Sequence, residues 1–363
     1  MSNNIISDFQ KARVFSGLDG LRFLSITAVV WHHAVTDSAW FAPGHYGFLG
    51  VDLFFVISGF LIVSLLLREK DKTNTISLKK FYIRRSLRIF PIYYGFILLL
   101  AAGYYFGSPN SDFGRGFLSE LPLYIFYLAN FAPVTFSIVW SLATEEQFYL
   151  VWPFLEKYLG KMIYLVLIIF IFINQIINFF PNEVARLLGN PNLAKLNIFQ
   201  ATFTPILLGV ALAHYLHFRK QDNTLLTILG CRYCSLFLIG AILASCFLLP
   251  EDISGLPRLL LQLSFTALIA STVLSPNGYL NNALNIKPIA HIGAISYGIY
   301  LFHIHAIVVA EKVLEKLGVF NEIATFLSSY TLVIGLAYLS YRFFESYFLR
   351  YKERFSTLHK KHS

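Results

Sequence analysis

A histidine and an aspartate lie at equal distances from a predicted turn near the start of the chain. His33 precedes Pro43-Gly44 and Asp52 follows it. In an antiparallel helical hairpin, residues equidistant from the turn lie at the same depth, so we expect His33 and Asp52 to meet. A carboxylate beside an imidazole selects its tautomer and strengthens it as a base. These residue types are equally compatible with a structural role, in which Asp52 only satisfies a buried histidine.

An arginine shares a helix face with His33. Arg22 precedes His33 by 11 residues, so the two side chains lie about 16 Å apart along the axis, whereas His32 points about 100° away from His33. This separation excludes contact between Arg22 and His33. It is compatible with a channel that has Arg22 at its cytoplasmic mouth and His33 near mid-membrane.

Three arginines follow each other at helical spacing in the segment from Lys79 to Pro91. Arg84 and Arg88 are i,i+4 neighbours, and Arg85 and Arg88 are i,i+3 neighbours. On a helix they form a compact guanidinium cluster, which suits bidentate binding of phosphate. Topology control or contact with lipid headgroups explains the same charges, and from charge alone this second interpretation is favoured.

Two adjacent carboxylates, Glu145 and Glu146, lie inside an apolar block. Ionisable groups at such positions are costly and are candidates for function. Glu145 shares a helix face with Ser141 and Tyr149, whereas Glu146 shares one with Leu150. We therefore expect Glu145 to point into a polar cavity of a helix bundle.

A further histidine, His303, follows Tyr300 near the C-terminus. His303 and His305 project roughly 200° apart on a helix, so they do not form a two-ligand metal site. No metal-ligand spacing occurs elsewhere in the sequence, and we predict no metal. A packing role for His303 is favoured over ligation.

The composition indicates a membrane protein. Of the 363 residues, 56% are hydrophobic and 13% are charged, whereas globular proteins carry about 25% charged residues. The apolar residues come in blocks of about 20, the length that spans a bilayer as a helix. We predict an all-α polytopic membrane protein with about ten transmembrane helices. The net charge of +9 then indicates cytoplasmic lysines and arginines rather than a nucleic-acid partner.

Ten apolar blocks define the predicted crossings. They lie at about 18–36, 47–67, 89–106, 117–157, 162–180, 198–217, 233–249, 257–275, 289–311 and 324–348. Block 117–157 is long enough for one crossing with a re-entrant piece or for two crossings. Counting one crossing there places both termini on one side, together with all but six of the 29 basic residues. The six are Arg115, Arg186, Lys195, Arg258, Lys312 and Lys316. The positive-inside rule makes the richer side cytoplasmic, which predicts a multi-pass protein of the inner (cytoplasmic) membrane.

Six motifs in register carry a resemblance to a known family. They are Gly17-Leu-Asp-Gly-Leu-Arg22 followed by His33, Gly50-Val-Asp52-Leu-Phe-Phe-Val-Ile-Ser-Gly59, Arg84-Arg85-x-x-Arg88-Ile-x-Pro91, Trp140-Ser-Leu-x-x-Glu145-Glu-Gln-Phe-Tyr-Leu150, Ser296-Tyr-Gly-Ile-Tyr300-Leu-x-His303 and Tyr341-Arg-Phe-Phe-Glu345. Together they resemble the acyltransferase-3 family of integral membrane O-acyltransferases, which includes O-antigen and exopolysaccharide acetylases. The similarity covers residues 17 to about 348. The expected organisation is a cytoplasmic segment 1–16, a transmembrane domain 17–348 and a basic cytoplasmic tail 349–363.

The resemblance implies transfer of an acyl group, usually acetyl from cytoplasmic acetyl-CoA, to a carbohydrate hydroxyl. It makes His33 the essential histidine, and Glu145 matches the more constant of the paired acids. It assigns the CoA phosphates to Arg85 and Arg88 first. The residues expected to hold the donor are Arg84, Arg85, Arg88 and Arg22. Acyl-CoA is then a donor substrate, and no cofactor is bound permanently.

These assignments lead to a mechanistic hypothesis. Asp52 orients His33, which either deprotonates the acceptor hydroxyl or briefly carries the acyl group. Glu145 orients the acceptor or shares its proton. The residues expected to contact the acceptor, a cell-surface polysaccharide or a lipid-linked sugar, are Glu146, Tyr149, Tyr300 and His303.

Two other classes of function fit the buried polar residues. A proton-coupled transporter of a polysaccharide or lipid precursor would use them as a relay, but no inverted repeat is visible. A structural subunit of a polysaccharide assembly would leave the arginine spacing unexplained. Some members of the family carry an extra helix and a fused extracytoplasmic hydrolase-like domain, and without them we expect this chain to act alone. The acceptor, the acyl group, the membrane face of transfer and homo-oligomerisation stay open at this point.

Overall fold

The computed structural model of the chain describes residues 5–12, 14–35, 42–200, 203–249, 253–319 and 321–355. Within these ranges the protein is all-helical and contains no β-strand. The predicted terminal segments are covered in part, since residues 1–4, Arg13 and 356–363 lie outside the described residues. The boundaries 1–16, 17–348 and 349–363 stay predictions.

Twenty α-helices make up the described chain. The first ten are α1 (Ile5–Lys11), α2 (Leu18–Ala34), α3 (Ala42–His45), α4 (Gly50–Thr73), α5 (Leu78–Gly107), α6 (Asp112–Ser119), α7 (Leu121–Ile125), α8 (Trp140–Tyr158), α9 (Ile163–Phe179) and α10 (Pro181–Leu187). The others are α11 (Asn197–Gln200), α12 (Thr204–Phe218), α13 (Thr224–Leu229), α14 (Cys234–Ser245), α15 (Leu256–Leu274), α16 (Tyr279–Leu284), α17 (Lys287–Ala294), α18 (Ser296–Lys316), α19 (Glu322–Ser340) and α20 (Ser346–Glu353). Short 3-10 helices occupy Gly47–Leu49, Ser137–Val139, Gly160–Met162 and Pro191–Lys195, and a π-helical turn, Tyr341–Glu345, joins α19 to α20.

Six helical segments in the described ranges are long and apolar enough to cross a bilayer, which makes this a multi-pass membrane protein. They are Gly47–Thr73, Leu78–Gly107, Gly160–Phe179, Leu256–Leu274, Ser296–Lys316 and Glu322–Lys352. The expected count of ten crossings is not confirmed. Helices α2, α8, α12 and α14 coincide with the other four predicted crossings, but α2, α12 and α14 have only 17, 15 and 12 residues. These lengths are below the usual 20 or so for a span.

The described chain divides into two compact units. The first unit comprises Met1–Ser64 and Pro205–Leu339, and the second comprises Leu65–Thr204 and Ser340–Ser363. In the first unit α2 lies among α16, α17, α18 and the 3-10 helix Gly47–Leu49. This central position surrounds the side chains of α2 with protein rather than lipid.

Glycines bring α4 and α12 into close contact in the first unit. A Cβ on Gly59 would collide with the backbone oxygen of Ile206, and a Cβ on Gly209 would collide with that of Val56. Small residues at such crossings let helix backbones approach closely in membrane proteins. The pair therefore sets the spacing between α4 and α12.

The second unit is organised around α5, which packs against α6, α8 and α20. An irregular stretch, residues 126–136, separates α7 from the 3-10 helix before α8, and hydrogen bonds to Gln147 anchor it. The amides of Asn130 and Gln147 exchange hydrogen bonds of 3.0 and 2.8 Å, and Gln147 also donates to the Tyr127 carbonyl at 2.7 Å. Block 117–157 thus contains one long helix, α8, preceded by an anchored irregular segment.

The glycine contact generates a stability prediction with a matched control. We expect Gly209→Ala to destabilise the protein by about 1–3 kcal/mol, because the added methyl overpacks a backbone contact. Gly240→Ala in α14 has nothing within 4 Å of the new methyl, so its higher helix propensity should leave stability unchanged or raise it by up to about 1 kcal/mol. Thermal unfolding of both variants in detergent micelles measures the difference. Equal melting temperatures would contradict the close packing of α4 on α12.

Candidate active site

His33 lies near the C-terminal end of α2, half-buried in the first unit. Its Nδ1 is 2.9 Å from the carbonyl oxygen of Val29, one helical turn earlier. A carbonyl oxygen only accepts hydrogen bonds, so Nδ1 carries the proton. In the neutral ring Nε2 is then bare and offers its lone pair, which is the state required of a general base or nucleophile.

A second imidazole lies against His33. His303 on α18 is fully buried, and its ring centroid is 4.9 Å from that of His33, with the ring planes at 68°. Its Nδ1 donates to the Tyr300 carbonyl, and the Tyr300 ring centroid lies 5.4 Å from its own. The structure thus brings together His33, His303 and Tyr300, three of the residues singled out by the sequence.

The predicted pairing of His33 with Asp52 is wrong. Asp52 is 1% exposed, and its carboxylate binds Arg258, whose Nε and Nη2 donate to its two oxygens at 3.1 and 3.0 Å. Gln262 adds a third donor at 3.1 Å. A buried carboxylate is best stabilised by a two-pronged guanidinium, and Arg258 on α15 supplies one that the hairpin argument did not include.

Arg258 and Gln262 are the residues that sequence reasoning missed. They are i,i+4 neighbours at the start of α15, so they present one polar face. Two signals were available in the sequence: Arg258 is one of the six basic residues off the basic side, and it begins an apolar block. Neither signal identifies Asp52, 206 residues away, as the partner.

Arg22 forms an ion pair within its own helix. Its Nη1 lies 2.6 Å from the Asp19 carboxylate, an i,i+3 partner on the same helix. The Arg22 side chain is mostly buried, and that of Asp19 is half exposed.

In the second unit, Arg84 holds neighbouring chain segments. Its Nη2 is 3.0 Å from the Glu69 carboxylate, which is buried, and its Nη1 donates to the Phe355 carbonyl at 2.7 Å. Glu69 also accepts from the backbone N–H of Ser77 at 3.1 Å. Arg84 therefore joins the end of α4 to α5 and to the chain after α20.

Arg85 stacks on an aromatic ring and faces an acid. Its guanidinium carbon is 3.6 Å above the Tyr149 ring, and its Nε is 3.7 Å from Glu146. The acid that α8 brings to Arg85 is thus Glu146, a contact that the helical-face argument did not predict. Glu145 is half-buried on the same helix.

Arg88 lies within electrostatic reach of the Glu345 carboxylate. Glu345, in the π-helical turn, also accepts a hydrogen bond of 3.1 Å from Ser340. Each arginine of the cluster thus has a different acid near it: Glu69 for Arg84, Glu146 for Arg85 and Glu345 for Arg88.

No set of histidine, cysteine, aspartate or glutamate side chains within the described ranges has the geometry of a metal site. The first unit offers two imidazoles whose Nδ1 atoms each donate to a backbone carbonyl. The second unit offers guanidinium groups backed by carboxylates and an aromatic ring. The chemistry available is base or nucleophilic catalysis at the first and anion binding at the second.

Comparison with known proteins gives consistent matches. A family described as "Acyltransferase domain" matches residues 15–342. Peptidoglycan O-acetyltransferase OatA of Listeria monocytogenes is 30% identical over 360 residues, covering 91% of this chain and 55% of OatA. Putative peptidoglycan O-acetyltransferase YrhL of Bacillus subtilis is 27% identical over 330 residues, covering 84% of this chain and 50% of YrhL. Putative O-acetyltransferase SACOL0978 of Staphylococcus aureus is 38% identical over 158 residues, covering 40% of this chain and 25% of its own. The chain spans about half the length of OatA and YrhL, and no solved structure matches it.

The buried pair of Asp52 and Arg258 generates a second stability prediction. Arg258→Met leaves Asp52 without its counter-charge and should destabilise the protein by about 3–5 kcal/mol. The double variant Asp52→Asn/Arg258→Met should recover most of that loss, since no buried charge remains.

The control is an exposed ion pair. Arg115 and Asp112 have side chains 63% and 98% exposed, so Arg115→Met should cost less than about 1 kcal/mol. Denaturant or thermal unfolding in detergent compares the three variants. An Arg258→Met protein as stable as Arg115→Met would contradict the buried pair.

Proposed function

The chain belongs to the acyltransferase domain family, and from that membership we propose that it is a membrane O-acyltransferase that acts on a carbohydrate hydroxyl. The observation that carries the proposal is the hydrogen bond from His33 to the Val29 carbonyl, because it leaves Nε2 bare. This is the histidine to which the resemblance assigns the essential role. The expected family is confirmed, whereas the activity is a proposal.

The proposed acceptor is the glycan of peptidoglycan, and the acyl group is acetyl. Support comes from the names of the relatives that match most of this chain, a peptidoglycan O-acetyltransferase and a putative one. Transfer to a sugar hydroxyl requires removal of one proton and attack on one carbonyl carbon. A base with a free lone pair in a largely apolar helix bundle suits both requirements.

The proposed donor is acyl-CoA, with its phosphates bound by Arg85 and Arg88. Arg85 and Glu146 are 3.7 Å apart, longer than the roughly 2.7–2.9 Å of a charge-assisted hydrogen bond. A phosphate would offer Arg85 shorter bonds than Glu146 does, while Tyr149 keeps the guanidinium in place. Arg84 is bound to Glu69 and Phe355, so we assign it a structural part rather than a direct one.

In the proposed reaction His33 uses the same lone pair in either of two ways. As a base it takes the proton of the acceptor hydroxyl, and as a nucleophile it briefly carries the acyl group. Val29, and not Asp52, orients its ring. We retain Glu145 as the acid that orients the acceptor, with Glu146, Tyr149 and Tyr300 as further contacts and Arg22 as a donor contact. The fully buried His303 is not retained as an acceptor contact.

We further propose that the protein resides in the inner (cytoplasmic) membrane with both termini cytoplasmic. The distribution of basic residues supports this orientation, because all but six of the 29 fall on the side of the termini when ten crossings are counted. The proposed partners are thus the lipid bilayer, cytoplasmic acyl-CoA and a surface glycan.

The role of His33 is tested with its neighbour as a control. We expect His33→Ala to lower acetyl transfer by about 10²–10⁴-fold, the usual range for loss of a general base. His32→Ala removes an adjacent imidazole whose ring centroid is 5.2 Å away, and it should keep activity within a few-fold. Purified full-length protein in lipid nanodiscs is supplied with radiolabelled acetyl-CoA and peptidoglycan fragments, and mass spectrometry identifies the acetylated product. A folded His33→Ala protein with full activity would overturn the proposal.

The donor site is tested by binding. Loss of one charge-assisted contact costs about 1.5–3 kcal/mol, so Arg85→Gln and Arg88→Gln should each weaken acetyl-CoA binding by about 10–100-fold. Arg115→Gln, at an exposed ion pair, should bind normally. Arg84→Gln should mainly lower the melting temperature. Unchanged affinity in both Arg85→Gln and Arg88→Gln would exclude the cluster as the donor site.

A further inference from the structure

We propose that His303 is the proton relay of the transfer site, taking from His33 the proton that the acceptor hydroxyl releases. This inference rests on the proposed function and gives His303 a part beyond packing or acceptor contact. His303 acts through His33 and not on the sugar, because its side chain is fully buried.

One ring nitrogen of His303 has no hydrogen-bond partner among the described residues. Nδ1 of His303 donates to the Tyr300 carbonyl, so Nε2 of the neutral ring is a bare acceptor. That Nε2 is buried and has no hydrogen-bond partner within the described part of the chain. Leaving a buried acceptor unsatisfied is destabilising, so such an atom calls for an explanation.

His303 lies against His33. The His33 and His303 rings are 4.9 Å apart between centroids, and both tautomers are locked by backbone carbonyls. Each imidazole therefore presents the same nitrogen, Nε2, without a proton. When His33 takes up a proton at Nε2, it gains a second donor, and the adjacent ring of His303 holds a vacant acceptor.

Two other candidate groups, Asp52 and His32, already have partners. Asp52 is bound by Arg258 and Gln262, so it is not the acceptor for His33. His32 interacts with the backbone of His45 and packs its ring on Phe48. His303 differs from both, because its Nε2 has no hydrogen-bond partner in the described ranges.

The proposed transfer conserves atoms and charge at each step. The acceptor oxygen attacks the thioester carbonyl carbon while its proton moves to Nε2 of His33, so a C–O bond forms and an O–H bond breaks. The C–S bond breaks, and the CoA sulfur leaves with the electron pair as a thiolate. The proton then moves from Nε2 of His33 to Nε2 of His303, which frees His33. The thiolate finally takes this proton back through His33, and both rings return to neutral.

The test uses His303→Ala with small-molecule rescue in the full-length protein. We expect kcat for acetyl transfer to fall by about 10–100-fold while KM for acetyl-CoA stays within threefold, because binding does not involve His303. Added imidazole fits the space left by the side chain and supplies a base, so it should restore activity at least fivefold. Pyrrole has the same ring shape but no basic nitrogen and serves as the matched control.

A second variant separates the relay from packing. His303→Asn retains an N–H that can donate to the Tyr300 carbonyl but lacks the second nitrogen, so it should fold and show the same loss of kcat. Wild-type kcat in either variant would overturn the relay, as would equal rescue by pyrrole and imidazole. Wild-type protein that fails to transfer acetyl would overturn the proposed function itself, which distinguishes the two failures.

Discussion

A buried charge in a chain with 13% charged residues has to find its counter-charge inside the protein, because lipid and apolar side chains provide none. This constraint operates in both compact units. Asp52 is held by Arg258 and Gln262 in the first, and Glu69 is held by Arg84 in the second. Each pair joins helices that are distant in sequence or separated by a turn. The residues of these ion pairs stabilise the fold. We therefore look for catalytic groups among the polar residues outside such pairs.

The same constraint changes the meaning of the arginine cluster. Spacing alone suggests three equivalent cations, whereas the structure gives them different surroundings. Arg84 has a short pair with a buried acid, Arg85 has a longer one and an aromatic ring beneath it, and Arg88 has Glu345 within electrostatic reach. An anion that binds here competes with carboxylates that are already present. Under the proposed function, a donor that carries more than one negative charge, such as acyl-CoA, would compete with these carboxylates best.

Local patterns predicted more of the molecule than long-range ones. The helical content and the long apolar spans follow from composition and the 3.6-residue period. The contact between His33 and His303 lies beyond any spacing rule, since α2 and α18 are far apart in the chain. The depth argument for Asp52 failed because it considered one hairpin alone. Arg258 lies 206 residues later. Its positive charge binds Asp52 more strongly than a neutral imidazole in the neighbouring helix would. The count of ten crossings rests on blocks that include helices of 12–17 residues, too short to be identified as spans by length.

Backbone carbonyls orient the rings of His33 and His303, as a carboxylate would. They differ from a carboxylate in their effect on the protonated ring. A carboxylate orients an imidazole and also stabilises its protonated form, so it holds the proton there. The carbonyls of Val29 and Tyr300 orient the rings without adding a full negative charge. In the proposed relay no carboxylate retains a proton on His33, so the proton stays available for transfer to His303. Because Arg258 occupies Asp52, neutral carbonyl groups orient His33. This is what the proposed mechanism requires of a base that must release its proton after each transfer.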